Sequence, residues 1–223
     1  WLACIWALLP LYNIYNFATC PIEHLTEEGQ GMKIGSLLRV PLFWVSIILM
    51  VCAGASELSM AQWASAYAES ALGLSKTIGD LAGPSMFAIT MGISRVIYGK
   101  YGDKMDLMKF MLGSGSLCLV CYLMASISAN PIVGLIGCIV CGFSVGIMWP
   151  GTISISSKQL PTGGTAMFAL LAMAGDLGGA FGPSLVGNIT QQANDNRQKG
   201  MLAGCGFTLV LILSLLSMRR FQR

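Results

Sequence analysis

Seven apolar segments follow one another along the chain, with short polar connections between them. A helix rises about 1.5 Å per residue and the hydrocarbon core of a bilayer is about 30 Å thick, so about 20 apolar residues are enough to cross it. The segments are residues 1–20, 41–67, 81–98, 107–127, 132–154, 165–187 and 201–218. This pattern predicts an all-α protein that forms a polytopic bundle of transmembrane helices.

The composition supports a membrane location. Apolar residues make up 55% of the chain and charged residues only 10%, whereas about a quarter of a soluble domain is charged. If the segments alternate across the membrane, ten of the 13 basic residues lie on one side, in the connections, in the adjoining segment ends and after the last segment; the exceptions are Lys76, Arg197 and Lys199. Because cytoplasmic connections collect lysine and arginine, we expect a multi-pass protein of the plasma (inner) membrane with a cytoplasmic C-terminus.

Two carboxylates lie well inside apolar segments, Glu57 in the second segment and Asp176 in the sixth. A carboxylate near the centre of a bilayer costs at least ~2.5 kcal/mol, so such residues face a cavity or a partner and are functional candidates. We therefore expect Glu57 and Asp176 to contact the substrate or to carry a coupling proton. The alternative for Glu57 is a hydrogen bond to a neighbouring helix.

Polar and aromatic residues accompany these acids. Gln62, Trp63 and Tyr67 follow Glu57 in the second segment, and Trp149 lies in the fifth. A polar ligand in a mostly apolar pocket uses such stacking surfaces and hydrogen-bonding groups, so these four residues are candidates for a substrate wall. The alternative for the aromatic residues is an interfacial belt.

Small residues and prolines are concentrated in the fifth and sixth segments. Such residues favour close helix contacts, and glycine and proline also permit hinges. The glycines around Asp176 further predict a weakened helix at that point, which membrane proteins tolerate where the backbone lines a cavity. The candidates for hinges or packing are Gly142, Gly146, Pro150, Gly178, Gly179, Gly182 and Pro183.

Two Cys-x-x-Cys pairs, Cys118 with Cys121 and Cys138 with Cys141, have the spacing of a zinc ribbon. Both lie inside apolar segments without nearby polar groups to support a metal, so we predict helix packing and no metal. His24 is the single histidine, and no nucleophile has a recognisable base beside it. We therefore expect no enzymatic activity, no cofactor and no nucleic-acid partner.

The connection around Gly99–Lys104, GKYGDK, is the most motif-like part of the chain. It resembles the signature of the major facilitator superfamily between the second and third spans of each half, where an acid, a basic residue, any residue, glycine and two basic residues follow one another. Here glycine replaces the acid and aspartate replaces a basic residue, as in the degenerate second-half copy. The resemblance implies a cytoplasmic gate at Arg95, Gly99, Lys100, Gly102, Asp103 and Lys104. The alternative is ordinary positive-inside anchoring.

The resemblance extends along the chain. The second segment, with Gly54, Glu57, Trp63 and Tyr67, is similar to the corresponding span of fucose-permease-like or related bacterial members, and residues 175–187 are similar to their penultimate span. The resemblance implies the C-terminal six-helix half of a major facilitator fold plus one preceding span. Residues 1–20 would be the last span of the N-terminal half, 21–39 the cytoplasmic connection and 40–223 the six-helix bundle, and the N-terminal half would be a further partner.

The resemblance also implies a function: secondary active transport by alternating access. The expected substrate is a small polar solute, with a sugar as the first candidate, and the expected coupling partner is the proton. Two alternatives stay open at this point, because seven segments also fit a seven-helix receptor-like protein or a membrane protein that transports nothing.

Overall fold

The computed structural model describes residues 2–20, 31–73 and 75–221, and the regular structure in these ranges is entirely helical. The all-α prediction is therefore confirmed. The helices are α1 Leu2–Thr19, α2 Ile34–Leu37, α3 Pro41–Leu72, α4 Lys76–Tyr101, α5 Leu107–Ile127, α6 Pro131–Val145, α7 Met148–Gln159, α8 Gly164–Gln192 and α9 Arg197–Phe221.

The chain divides into two compact units, Trp1–Gly31 and Met32–Arg223. Helix α1 is the described part of the first unit, and α2 to α9 belong to the second. Residues 21–30, which contain His24 and most of the predicted connection, lie outside the described residues.

Five helices of the described chain are long and apolar enough to cross a membrane. They are Pro41–Ser70, Leu107–Ile127, Pro131–Gln159, Gly164–Gln192 and Arg197–Arg220. Each overlaps one of the segments predicted from hydropathy.

Local signals explain where these helices begin and end. Pro41 and Pro131 occupy the first turns of α3 and α6, where the missing proline N–H would lack a partner in any case. The Asn130 side chain accepts a 3.0 Å hydrogen bond from the Ile132 N–H and caps α6. Helix α3 ends at Gly73, whose φ of 61° is the left-handed conformation that glycine adopts without strain.

Asp106 caps α5 in the same way and gives a testable pH dependence. Its carboxylate accepts a 3.1 Å hydrogen bond from the Lys109 N–H and pairs with the Lys109 ammonium at 3.1 Å. These contacts lower the pKa of Asp106. A lowered pKa stabilises the fold above the ordinary aspartate pKa of about 3.9, and this contribution is lost as the pH falls through the folded-state value.

We expect the melting temperature in detergent to fall between pH 5 and pH 3 slightly more in the native protein than in Asp106→Asn. Asparagine also caps helices but does not titrate in this range. Identical pH profiles for the two proteins would contradict the assignment.

Helix α3 lies at the centre of the second unit and contacts α4, α6, α8 and α9. Two buried tyrosines join it to α5, because the Tyr67 hydroxyl donates to the Ala125 carbonyl and the Tyr122 hydroxyl donates to the Ser56 carbonyl, both at 2.7 Å. Each ring packs against a glycine of a third helix, Tyr67 on Gly134 and Tyr122 on Gly204. Residues around the middle of α3 are thereby fixed on several sides.

Helices α3 and α8 cross through glycine contacts. Gly178 packs against the Val51 backbone, Gly54 against the Gly175 carbonyl, and Gly182 against Ala55. Helix α8 continues through these glycines and through Pro183 to Gln192. The predicted weakening around Asp176 is therefore wrong, because the glycines there serve close packing, which holds the helix in place.

Several helix boundaries also differ from the hydropathy prediction, among them the C-terminal ends of α3 and α8. Helix α4 begins at Lys76 and runs to Tyr101, so it exceeds the predicted segment at both ends. The fifth segment consists of two helices, α6 and α7, which are interrupted at Gly146 and Ile147. This interruption shapes the candidate site.

Candidate functional site

Glu57 lies at the middle of α3, half-buried in the bundle. Its Oε2 atom is buried and has no hydrogen-bond partner in the part of the chain that the structure describes. Buried polar groups in folded proteins almost always have a partner. An unpaired carboxylate oxygen at the centre of a membrane helix is therefore available to a proton, a ligand or a moving side chain.

The interruption between α6 and α7 has a simple chemical cause. In a continuous helix the Gly146 carbonyl would accept a hydrogen bond from the N–H of residue 150, but that residue is proline and has none. The ladder resumes one step later, where the Gly151 N–H donates to the Ile147 carbonyl at 2.8 Å. The sequence therefore leaves one carbonyl without a partner near the middle of the α6–α7 segment.

Arg95 of α4 supplies the absent donor. Its Nε atom donates to the Gly146 carbonyl at 3.3 Å. Ser94 lies on the other side of the same contact: a Cβ added at Gly146 would lie 3.1 Å from the Ser94 Oγ. That hydroxyl is buried and has no partner among the described residues. The interruption thus gathers a guanidinium, a free hydroxyl and a backbone carbonyl.

Arg95 also acts on Glu57. Gly79 and Gly83 of α4 pack against Glu69 and Ala64 of α3, so the two helices are antiparallel neighbours. Arg95 lies 12 residues beyond Gly83 on α4, a distance of about 18 Å along the helix, and is therefore opposite about residue 52 of α3. Side chains on a helix lean toward the N-terminus of that helix. For Arg95 this lean is toward Glu57, and the two groups interact electrostatically.

No ion pair within 4.0 Å joins Arg95 and Glu57 in the described structure. The two charges therefore do not neutralise each other by direct contact. The candidate site consists of Glu57 on α3, Arg95 on α4, whose side chain is exposed, and the α6–α7 interruption that Arg95 contacts.

Further polar contacts fasten α4 to this segment on both sides of Arg95. The Thr90 hydroxyl donates to the Ile139 carbonyl at 2.6 Å, and the Tyr98 hydroxyl lies 2.9 Å from the Ser154 Oγ. Gly142 also packs against the Phe87 backbone. These contacts fix the position of Arg95 along the helix axis relative to the interruption.

Asp176 lies apart from this site. It is exposed on α8, on the same side of the helix as Met173 and Leu177, which are 53% and 60% exposed. It has no hydrogen-bond or ion-pair partner among the residues described here. The structure places Glu57 and Asp176 on neighbouring helices without bringing their side chains into contact.

The predicted substrate wall is brought together only in part. Trp149 is half-buried and its indole ring packs against Gly175. Trp63 is half-buried against the main core. Gln62 is exposed, about 140° around α3 from Glu57 at 100° per residue. Tyr67 is buried and its hydroxyl already donates to Ala125, so its contacts are those of a core residue.

The predicted gate loop is shorter than expected. Arg95, Gly99 and Lys100 lie within α4, and the connection to α5 begins with the short 3₁₀ turn Gly102–Lys104. Their assignment to a loop is therefore wrong, because α4 continues through Gly99 and ends only at Tyr101. The Lys100 ammonium lies 5.4 Å from the centre of the Tyr101 ring. The side chain of Asp103 lies outside the described residues.

The paired cysteines contact each other across α5 and α6. The Sγ atoms of Cys118 and Cys141 are 3.7 Å apart, and the Cys138 thiol contacts the Met60 sulfur at 3.5 Å. All these cysteines are buried among apolar residues. Their observed contacts are those of small side chains at a helix interface.

Sequence reasoning missed the contact of Arg95 with Gly146. Hydropathy places Arg95 near the end of its segment, and the family resemblance assigns it to the cytoplasmic gate. A usable signal was nevertheless present, because a proline four residues after Gly146 leaves that carbonyl without a donor. A basic residue on a neighbouring segment was a candidate to replace it.

Comparison with known proteins identifies the family. The sequence matches the family model of the Major Facilitator Superfamily over residues 3–183. This match covers most of the chain, so the chain belongs to the Major Facilitator Superfamily, a family of secondary membrane transporters. Searches among curated proteins and among solved structures gave no significant match.

Proposed function

We propose that this chain forms the C-terminal half of a proton-coupled transporter that moves a small polar solute by alternating access, with sugars as the first class to test. Membership of the superfamily supports secondary transport in general. The observation that carries the coupling proposal is the buried and unpaired Oε2 atom of Glu57. Burial of a carboxylate oxygen without a hydrogen-bond partner favours the neutral form of the group, so Glu57 can take up and release a proton as its surroundings change.

The proposed topology follows from the distribution of charge. Residues 1–20 would form the last span of an N-terminal half, 21–39 a cytoplasmic connection and 40–223 the C-terminal bundle. Arg219 and Arg220 at the end of α9 favour a cytoplasmic C-terminus in the plasma membrane. The face of α8 that carries Asp176 would then be covered by the N-terminal half, because an acid at this depth needs a cavity or a partner.

The remaining candidates have proposed roles in the same cycle. Trp149, beside the α6–α7 interruption, offers a stacking surface at the substrate cavity. Lys100 and Lys104, at the end of α4 and in the 3₁₀ turn, would form part of a cytoplasmic gate that makes different contacts in the two access states.

The direct test is uptake by proteoliposomes that contain the complete transporter. A panel of labelled neutral sugars is supplied with and without an inward proton gradient. We expect at least one solute to accumulate above its external concentration when the gradient is imposed, and to equilibrate without accumulation when a protonophore collapses it. Uptake that is indifferent to the gradient would contradict proton coupling, and the absence of any protein-dependent uptake would contradict transport of this class.

Asp176 provides a separate prediction. We expect Asp176→Asn to lower the initial uptake rate at least about tenfold, which is the equivalent of ~1.4 kcal/mol, because the residue would contact the solute, the proton or the N-terminal half. Asp195→Asn is a suitable control, since Asp195 is exposed in the turn between α8 and α9 and its positive φ is tolerated by asparagine. Equal rates for the native protein and Asp176→Asn would remove Asp176 from the mechanism.

A further inference from the structure

The guanidinium of Arg95 is only partly engaged. Its Nε donates to Gly146, while Nη1 and Nη2 have no hydrogen-bond partner among the described residues. Arginine presents its donors as a rigid planar fork that matches the two oxygens of a carboxylate. The contact with Gly146 therefore fixes the orientation of the group and leaves the terminal donors free.

A charge in this position needs an anionic partner. Arg95 contacts the α6–α7 interruption from within α4, and its side chain is exposed on the described bundle. An arginine within a membrane-spanning helix is costly unless it is paired or faces a polar cavity. Glu57 acts on it electrostatically, but not through an ion pair within 4.0 Å. If Glu57 carries the coupling proton, as proposed above, its charge is cancelled in the loaded state and Arg95 loses even this neighbour.

We infer that the Nη1 and Nη2 groups of Arg95 bind a carboxylate group of the transported solute. The substrate would then be a small carboxylic acid or an acidic sugar in preference to a neutral solute. This inference rests on the proposed function and narrows its substrate class. The Gly146 carbonyl, which Pro150 leaves without a backbone donor, acts as the positioning group for the guanidinium.

The test compares acids with neutral solutes of similar shape. The acids are L-lactate, succinate, D-gluconate and D-galacturonate, and their neutral counterparts are propane-1,2-diol, butane-1,4-diol, D-glucitol and D-galactose. Binding to the complete transporter is measured by thermal shift in detergent, and movement by uptake into proteoliposomes. We expect at least one acid to bind and to move, and its neutral counterpart to bind at least about tenfold more weakly because the charged donors then lack a partner.

Variants separate binding from a structural role. We expect Arg95→Gln to weaken the acid about 10-fold to 100-fold, Arg95→Lys to weaken it less, and Lys76→Gln, which removes an exposed charge from the same helix, to leave it unchanged. Pro150→Ala restores an N–H that can donate to the Gly146 carbonyl. If Arg95 served only that carbonyl, adding Pro150→Ala to Arg95→Gln would restore binding; we expect no restoration.

Several results would overturn the inference: equal affinity for an acid and its neutral counterpart, unchanged acid affinity in Arg95→Gln, or recovery in the double variant. Proton-driven movement of a neutral solute, with no binding of any acid, would contradict the inference but would agree with the proposed function. If none of the eight solutes binds or moves, the inference fails together with the proposed function.

Discussion

Replacing Glu57 with glutamine is expected to abolish proton-driven accumulation and to leave solute exchange largely intact. Glutamine has nearly the shape of a protonated glutamate and can occupy the same half-buried position in α3, but it cannot release a proton. The variant would therefore be fixed in the state that binds the solute. It could carry a loaded solute across in both directions, but it could not couple that movement to a gradient.

The size of the expected loss follows from the thermodynamics of coupling. Each unit of pH difference stores about 1.4 kcal/mol per proton, which is a factor of ten in concentration. With one proton per solute, a gradient of about two pH units would sustain about 100-fold accumulation in the native protein. In Glu57→Gln the internal concentration should reach only the external one.

The measurement pairs two assays on the same proteoliposomes. Net uptake under a proton gradient should collapse in Glu57→Gln, whereas exchange of labelled external solute for unlabelled internal solute should continue. Glu69→Gln is the matched control, because Glu69 is a half-buried glutamate on the same helix whose side chain packs at Gly79. Accumulation by Glu57→Gln at the native level would exclude Glu57 as the coupling residue.

The fold was predictable from the sequence to a large extent, because membrane helices are dictated by hydropathy. Every predicted segment corresponds to helix, and the position of Glu57 in the middle of α3 follows directly from the sequence. The ends of α4 were mispredicted, because polar residues such as Lys76 and Lys100 do not stop a helix whose backbone can continue to bond. Hydropathy reports the apolar length of a segment, and the helix itself ends where capping and turn residues allow.

The site was less predictable because it depends on contacts between segments. Nothing local to Arg95 reveals that its Nε reaches Gly146, since the contact joins residues that are far apart in the chain. Tyr67 illustrates the same point: its proximity in sequence to Glu57 suggests a ligand contact, whereas the packing shows that its hydroxyl donates to the Ala125 carbonyl on α5. Sequence spacing on one helix defines a face of that helix, and only the packing shows which helix that face meets.

The glycine contacts between α3 and α8 are expected to give the largest effect on stability. A Cβ added at Gly178 would lie 2.7 Å from the carbonyl carbon of Val51 and 2.9 Å from its Cα. Both atoms belong to the backbone, so no side chain can move aside to relieve the overlap. Gly54 and Gly182 also make close contacts along the same crossing, so a separation of the two helices at Gly178 would disturb those contacts as well.

We therefore expect Gly178→Ala to destabilise the bundle by about 3 kcal/mol, at the upper end of the usual range for overpacking, and to lower the melting temperature by about 6–12 °C. Gly187→Ala adds the same methyl group to the same helix, but at a position with no atom within 4 Å. Alanine favours helix over glycine by up to ~1 kcal/mol, so this variant should melt at or slightly above the native temperature. Thermal unfolding of the three proteins in one detergent would measure the difference. A melting temperature for Gly178→Ala equal to that of Gly187→Ala would mean that the helices can move apart at this crossing, and the rigid contact between α3 and α8 would have to be abandoned.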